Sequence, residues 1–198
     1  MHLRHLIPVG LVLLGQTALA EPRVYTLDPT HSQVVFSYSH AGFSTTYGLV
    51  SGFEGTLTLD RDDPSTAQVE VSIAADRVFT GDAGRDDVFL NSGMFFQLDA
   101  HPLARFVSTS VTVTSATTAQ VTGDMTINGV TRPVTLEARF NGETEAYPFP
   151  PHAGKPAVGF DAEARLQRSA FNLGEFAPFV GDEVSLLISI EAVALGQE

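Results

Sequence analysis

The chain has 198 residues, with no cysteine and no tryptophan, and 23 acids against 11 lysines and arginines give it a formal net charge of −12. Without cysteine there is no disulfide, no thiolate metal site and no cysteine nucleophile. So negative a charge disfavours nucleic acid, whose binding rests on neutralising phosphates with Lys and Arg, and disfavours broad attachment to an anionic membrane.

Residues 1–20 read as a signal peptide. Arg4, with His2 and His5, makes a basic start, Leu6 to Leu14 is a short apolar run, and Ala18-Leu19-Ala20 is a small-x-small cleavage site before Glu21. The run is too short to span a bilayer, so no stable membrane insertion is expected. The junction has no cysteine to carry a lipid. A released protein is expected, and in a Gram-negative cell that means the periplasm. Residues 21–198 have the length of a single domain.

Period-2 alternation dominates from there on. It is clearest in Val69, Val71 and Ile73, in Val134, Leu136, Ala138 and Phe140, in Ala162, Ala164 and Leu166, and in Val184, Leu186, Ile188 and Ile190. The pattern predicts strands over 24–28, 32–40, 48–60, 67–75, 104–114, 119–127, 131–141, 156–168 and 183–194. Asn128-Gly129 between two such runs is a two-residue hairpin signal, because both central positions need positive φ. Asp82 to Gly93 breaks the alternation and predicts a short helix or turn capping one end, with Asp86 and Asp87 near its N-terminus. Two loops are unusually apolar: Tyr147-Pro148-Phe149-Pro150-Pro151, stiffened by proline, and Ser169 to Asp182, which carries Phe171, Phe176 and Phe179. Short strands at this spacing mean an antiparallel barrel or a sandwich.

Catalytic constellations are hard to find. Beyond residue 20 the histidines are His31, His40, His101 and His152, and none lies two or four residues from another, so no strand or helix face presents a pair of metal ligands. His31, after Asp28 in a tight turn, is expected to bond backbone. His40 is expected on a strand end at the barrel rim, and His101 before Pro102 in a structural connection. There is no Gly-x-Ser-x-Gly elbow, and Asp60, Asp62 and Asp63 read as a solvated turn. The residues point to a non-enzyme without cofactor or metal.

A series of short motifs extends over nearly the whole chain. It runs Tyr25-Thr26-Leu27-Asp28, His31-Ser32, Val34-Val35-Phe36, His40, Gly52-Phe53-Glu54-Gly55, Phe95-Phe96, His101-Pro102 and Phe106-Val107-Ser108. It continues through Val121 to Met125 and Asn128 to Leu136, and ends at Arg168-Ser169-Ala170-Phe171. In this order the motifs resemble the YceI family from about Tyr25 to Ala192. The resemblance implies an all-β fold, an eight-stranded antiparallel lipocalin-like barrel with one short helical segment. It also implies a lipid-filled interior, a polyisoprenoid or similar long-chain amphiphile as ligand, and a homodimer. All fourteen phenylalanines lie after residue 20. Phenylalanine offers area without a polar handle, which suits a wall facing hydrocarbon.

On this reading the residues expected in the cavity or at its mouth are Phe36, Tyr38, His40, Phe53, Phe89, Phe95, Phe96, Phe106, Met125, Arg168 and Phe171. A phosphorylated head group would draw on Arg85, Arg132, Arg165 or Arg168. The match departs from the family near the helix: Asp86 stands where a basic residue is usual, Phe89 where a polar one is, and Met94 where an acid is. These changes favour a neutral head such as a quinone, an amide or a protonated fatty acid. Phe43, Phe149, Phe176 and Phe179 are expected to frame a portal or a dimer contact. The rival readings are a lipid-modifying enzyme and a β-sandwich interaction module with a solid core.

Overall fold

The computed structural model describes residues 21–194, so the signal-peptide reading of 1–20 falls outside the described residues. Eleven strands, all paired antiparallel, make the sheet: β1 (Arg23–Leu27), β2 (Gln33–His40), β3 (Ser44–Ser51), β4 (Phe53–Leu59), β5 (Gln68–Ala74), β6 (Val78–Phe79), β7 (Leu103–Val113), β8 (Thr118–Ile127), β9 (Val130–Thr144), β10 (Ala157–Gln167) and β11 (Val180–Ala194). One α-helix, α1 (Ala83–Asn91), lies between β6 and β7.

The eleven segments occupy eight positions around a closed barrel. β1 and β2 continue one another, β1 pairing with the end of β11 at Tyr25↔Ala194 and β2 with its earlier part at Leu186↔Phe36. β3 pairs with β2 and β4 with β1, so those two also share a position. β5 and β6 take the third, on β4 and β3. β7, β8, β9, β10 and β11 fill the rest, each antiparallel to the next. Contact between β1 and β11 closes the ring and leaves no long free edge there.

The expected single strand over 48–60 is two strands. Gly52 interrupts it with φ +78°, a conformation that ends regular pairing and bends the chain, and the first of the two begins earlier, at Ser44. The two-residue strand β6 was not expected from the alternation, because two residues carry no period. The Asn128-Gly129 hairpin is formed as read, with φ of +50° and +77°. The helix is bounded by Asp82, whose side chain accepts from the Arg85 N–H at 2.8 Å. Asp86 in its first turn accepts from the Thr80 N–H at 2.9 Å.

The apolar interior is divided. One cluster, built on Tyr25, Leu27, Leu57, Leu59 and Val158, fills the end where β1 meets β11. A second, built on Phe95, Ala164, Leu166, Phe171 and Leu173, fills the other end beneath α1. The space between them is the cavity.

Candidate functional site

Inward-facing alternation makes the wall. Val69, Val71 and Ile73 on β5, and Val184, Leu186, Ile188 and Ile190 on β11, turn the same face to the barrel axis and enclose a cavity of about 370 Å³. That volume falls within the usual range for small-molecule sites. The lining is almost wholly apolar.

Ten of the eleven expected residues line this space: Phe36, Tyr38, Phe53, Phe89, Phe95, Phe96, Phe106, Met125, Arg168 and Phe171. His40 does not. Its position continues the series of Val34, Phe36 and Tyr38, but it is the last residue of β2, opposite Ser44 at the rim, and its side chain is exposed beyond the lining.

Two glycines let the wall take large rings. Gly48 sits opposite Phe36 in the β2–β3 ladder, and a Cβ there would come within 2.9 Å of three atoms of the Phe36 ring. Gly123, opposite Ser108 on β7, is reached diagonally by the Phe106 ring, two of whose atoms would lie within 2.8 Å of a Cβ there. The far end of each ring therefore occupies the space a side chain would take at the glycine. Phe160, also in the lining, packs on Phe140 with ring centroids 5.4 Å apart. Sequence reasoning passed over Gly48, Gly123 and Phe160. The first two carried no signal until a strand register put a ring beside them.

The helix end is closed by aromatic side chains. Phe89 of α1 lies 6.4 Å from the ring of Tyr38 and 5.0 Å from that of Phe95, and Phe95 is 6.1 Å from Phe176. Buried Asn128 ties this end together. Its side-chain oxygen accepts from the Gln97 N–H at 2.9 Å, and its amide donates to the Phe95 carbonyl at 3.2 Å.

Of the four arginines considered for a head group, Arg168 alone lines the cavity. Arg85 donates to the Thr80 hydroxyl at 2.9 Å, Arg165 pairs with Glu183 at the surface, and Arg132 is exposed and donates to the Thr131 carbonyl. Arg168 is 7 % exposed and gives its donors to backbone: Gly181 at 2.8 Å, Val180 at 2.6 Å, and Leu173. It therefore brackets the segment after β10 from inside. Burial pushes its pKa down from the ordinary value, with nearby Asp182 opposing. Asp182 in turn accepts from the Ser169 N–H and hydroxyl at 2.8 and 2.7 Å.

The four aromatic residues expected to share a portal are split. Phe43 and Phe179 are 93 % and 76 % exposed on neighbouring loops, joined by an Ala41 N–H to Phe179 carbonyl bond of 2.6 Å, and Phe176 stacks near Phe95 at the same end. Phe149 lies in the β9–β10 loop, beside Tyr147, whose hydroxyl reaches Glu191 near the β1 end. The β9–β10 loop leaves the barrel at the opposite end from the β2–β3 hairpin, so Phe149 cannot join the other three.

A YceI-like domain model matches residues 25–192. The YceI proteins of Salmonella arizonae and Salmonella heidelberg are each 38 % identical to this chain over 183 residues, covering 91 % of it and 92 % of their own length. The chain belongs to the YceI family. Solved structures share the architecture of this YceI-like barrel. BcnA of Burkholderia cenocepacia superposes with a TM-score of 0.72 at 22 % identity, over 83 % of this chain and 98 % of its own. The Campylobacter jejuni YceI protein gives 0.68 at 22 %, over 81 % and 90 %. A polyisoprenoid binding domain from Saccharophagus degradans gives 0.57 at 14 %, over 86 % and 98 %. No helix among the described residues is long and apolar enough to cross a membrane.

Proposed function

We propose that this YceI-like barrel binds one long-chain amphiphilic lipid, an isoprenoid foremost, and serves as a carrier or store of it rather than as an enzyme. The cavity carries this reading: about 370 Å³ of apolar space between two packed ends, with phenylalanines along its wall. Each methylene buried there contributes about 0.8 kcal/mol, so ten to fifteen carbons offer about 8–12 kcal/mol before the cost of ordering the chain. Micromolar binding or better follows without a strong head-group contact.

The commitment of Arg168 to three backbone carbonyls supports a neutral head, such as an isoprenoid quinone, over a pyrophosphate. On this reading residues 1–20 are removed on export and 21–198 work in the periplasm as one domain. Two copies pair through the exposed Phe43, Phe176 and Phe179.

Native mass spectrometry of the purified protein, followed by organic extraction, tests the proposal. A discrete added mass that matches a prenyl or acyl amphiphile is expected. A bare polypeptide mass that stays bare after incubation with prenols, quinones and fatty acids would overturn it.

A further inference from the structure

Lipid carriage uses none of the polar side chains gathered on the outside of the barrel, where the chain kinks between β1 and β2. Asp28 sits in that kink, 4 % exposed. Its Oδ2 lies 2.7 Å from Nδ1 of His31 and 3.4 Å from Nε2 of His152, which arrives from the β9–β10 loop. A carboxylate oxygen of Glu191 on β11 completes the group: the ligand atoms of Asp28, His31 and Glu191 all lie within 4.8 Å of one another. We propose that Asp28, His31, Glu191 and His152 form a binding site for one divalent transition-metal ion of the Zn²⁺ class.

The donor set selects the ion. Two imidazoles and two carboxylates, with no thiolate, suit Zn²⁺, Cu²⁺ or Ni²⁺, whereas Ca²⁺ and Mg²⁺ favour all-oxygen shells. Tetrahedral bonds of about 2.0–2.1 Å put neighbouring donor atoms about 3.3 Å apart. His152 already stands at that separation from Asp28, but its ring lies outside the 4.8 Å group of the other three, so the β9–β10 loop has to close on the ion for it to become the fourth ligand. His31 needs to draw back by about half an ångström, and its side chain is 52 % exposed and free to do so.

The carboxylates are already held from behind, as ligands are in built metal sites. Asp28 Oδ1 accepts from the Thr30 N–H at 2.8 Å and from the Thr30 hydroxyl at 2.7 Å, which leaves Oδ2 facing the histidines. Glu191 Oε2 accepts from the Tyr147 hydroxyl at 3.0 Å. Tyr147 and His152 belong to the same loop, so the ion would staple that loop to the kink and to β11. The chain's acidity favours the approach of a cation.

The test is a titration of tag-free protein, stripped with EDTA and dialysed, with ZnCl₂ in a calorimeter, alongside thermal unfolding. One ion per chain is expected, with a raised melting temperature. The His31→Ala/His152→Ala variant is expected to lose at least about 30-fold in affinity, and Tyr147→Phe about tenfold, through the unsupported Glu191. His40→Ala, at the exposed end of β2, is expected to leave binding unchanged. Circular dichroism and lipid loading of the double variant are expected to match the unsubstituted protein, which separates loss of a ligand from loss of the fold. X-ray absorption at the zinc edge is expected to report nitrogen and oxygen donors only. Absence of one-to-one binding at about 0.1 mM Zn²⁺, or binding that the double variant leaves intact, would overturn the proposal. Neither result bears on the lipid cavity, which lies inside the barrel wall.

Discussion

Gly48→Ala sets the width of the cavity against the packing of its wall. An alanine methyl would stand within 2.9 Å of three atoms of the Phe36 ring, where comfortable carbon contacts are about 3.5–4.0 Å. Backbone is not in the way: the nearest atoms are all at the far end of the Phe36 side chain, and Gly48 lies outside the left-handed region. The ring therefore retreats by about 1 Å or more, and the open direction is the cavity. Overpacking a solid core costs about 1–3 kcal/mol; with empty space to take up the ring, a loss near the lower limit is expected by urea denaturation. The room lost corresponds to about one or two methylenes of ligand. At about 0.8 kcal/mol each, the Kd for a long-chain probe rises about 4- to 15-fold. The assay is displacement of a fluorescent fatty acid by an unlabelled prenol. Gly48→Ala/Phe36→Leu, whose leucine is shorter than the ring, is expected to recover most of the lost affinity. An unchanged Kd in the single variant, or no recovery in the double, would refute the idea that Gly48 keeps the cavity open.

Arg168→Ala removes donors from the carbonyls of Gly181, Val180 and Leu173 in a buried setting, so a loss of about 3 kcal/mol is expected by denaturant melts, with protease cleavage moving into residues 169–182. Asn128→Ala strips the Gln97 N–H and the Phe95 carbonyl of their partner and leaves alanine at φ +50°; about 2–3 kcal/mol is expected, read as a lower urea midpoint. Burial pushes the Asp28 carboxyl up, but hydrogen bonds from His31 and Thr30 outweigh it and hold the group at about 2. A lowered carboxyl pKa stabilises the fold above the unfolded value and loses that effect as pH falls through the folded one. In chelator-containing buffer, about 2 kcal/mol of stability is expected to vanish between about pH 4 and pH 2, and Asp28→Asn to flatten that part of the profile. The same bond raises the pKa of His31 from 6.5, so its contribution is complete below that value and declines as the pH rises through the raised one.

What could be read locally was read well. The β10 and β11 alternations grouped Ala162, Ala164 and Leu166, and Val184, Leu186, Ile188 and Ile190, on one face of each strand, since the period assigns sides; that this face turns inward was decided by the closed barrel. Asn128-Gly129 announced its hairpin because few residues tolerate two positive φ angles in succession. The same local logic put His40 at a strand end on the rim, where it is, and also grouped it with the cavity residues, which it does not join, being the exposed last residue of β2. It also expected His31 to bond backbone, whereas its ring reaches the Asp28 carboxylate at 2.7 Å.

Sequence alone determined the all-β class, which residues of a strand share a face and the turn at Asn128, because each depends on neighbours a few residues apart. Tertiary structure decided the rest. Closure of the sheet between β1 and β11 laid Glu191 beside Asp28, and the β9–β10 loop brought His152 to the same carboxylate, so histidines that share no strand face meet at one oxygen. It also set Phe36 on Gly48 and left a cavity between two packed ends instead of a solid core. Such contacts depend on how eight strands stagger and tilt around a ring, and no pattern along one strand specifies that stagger.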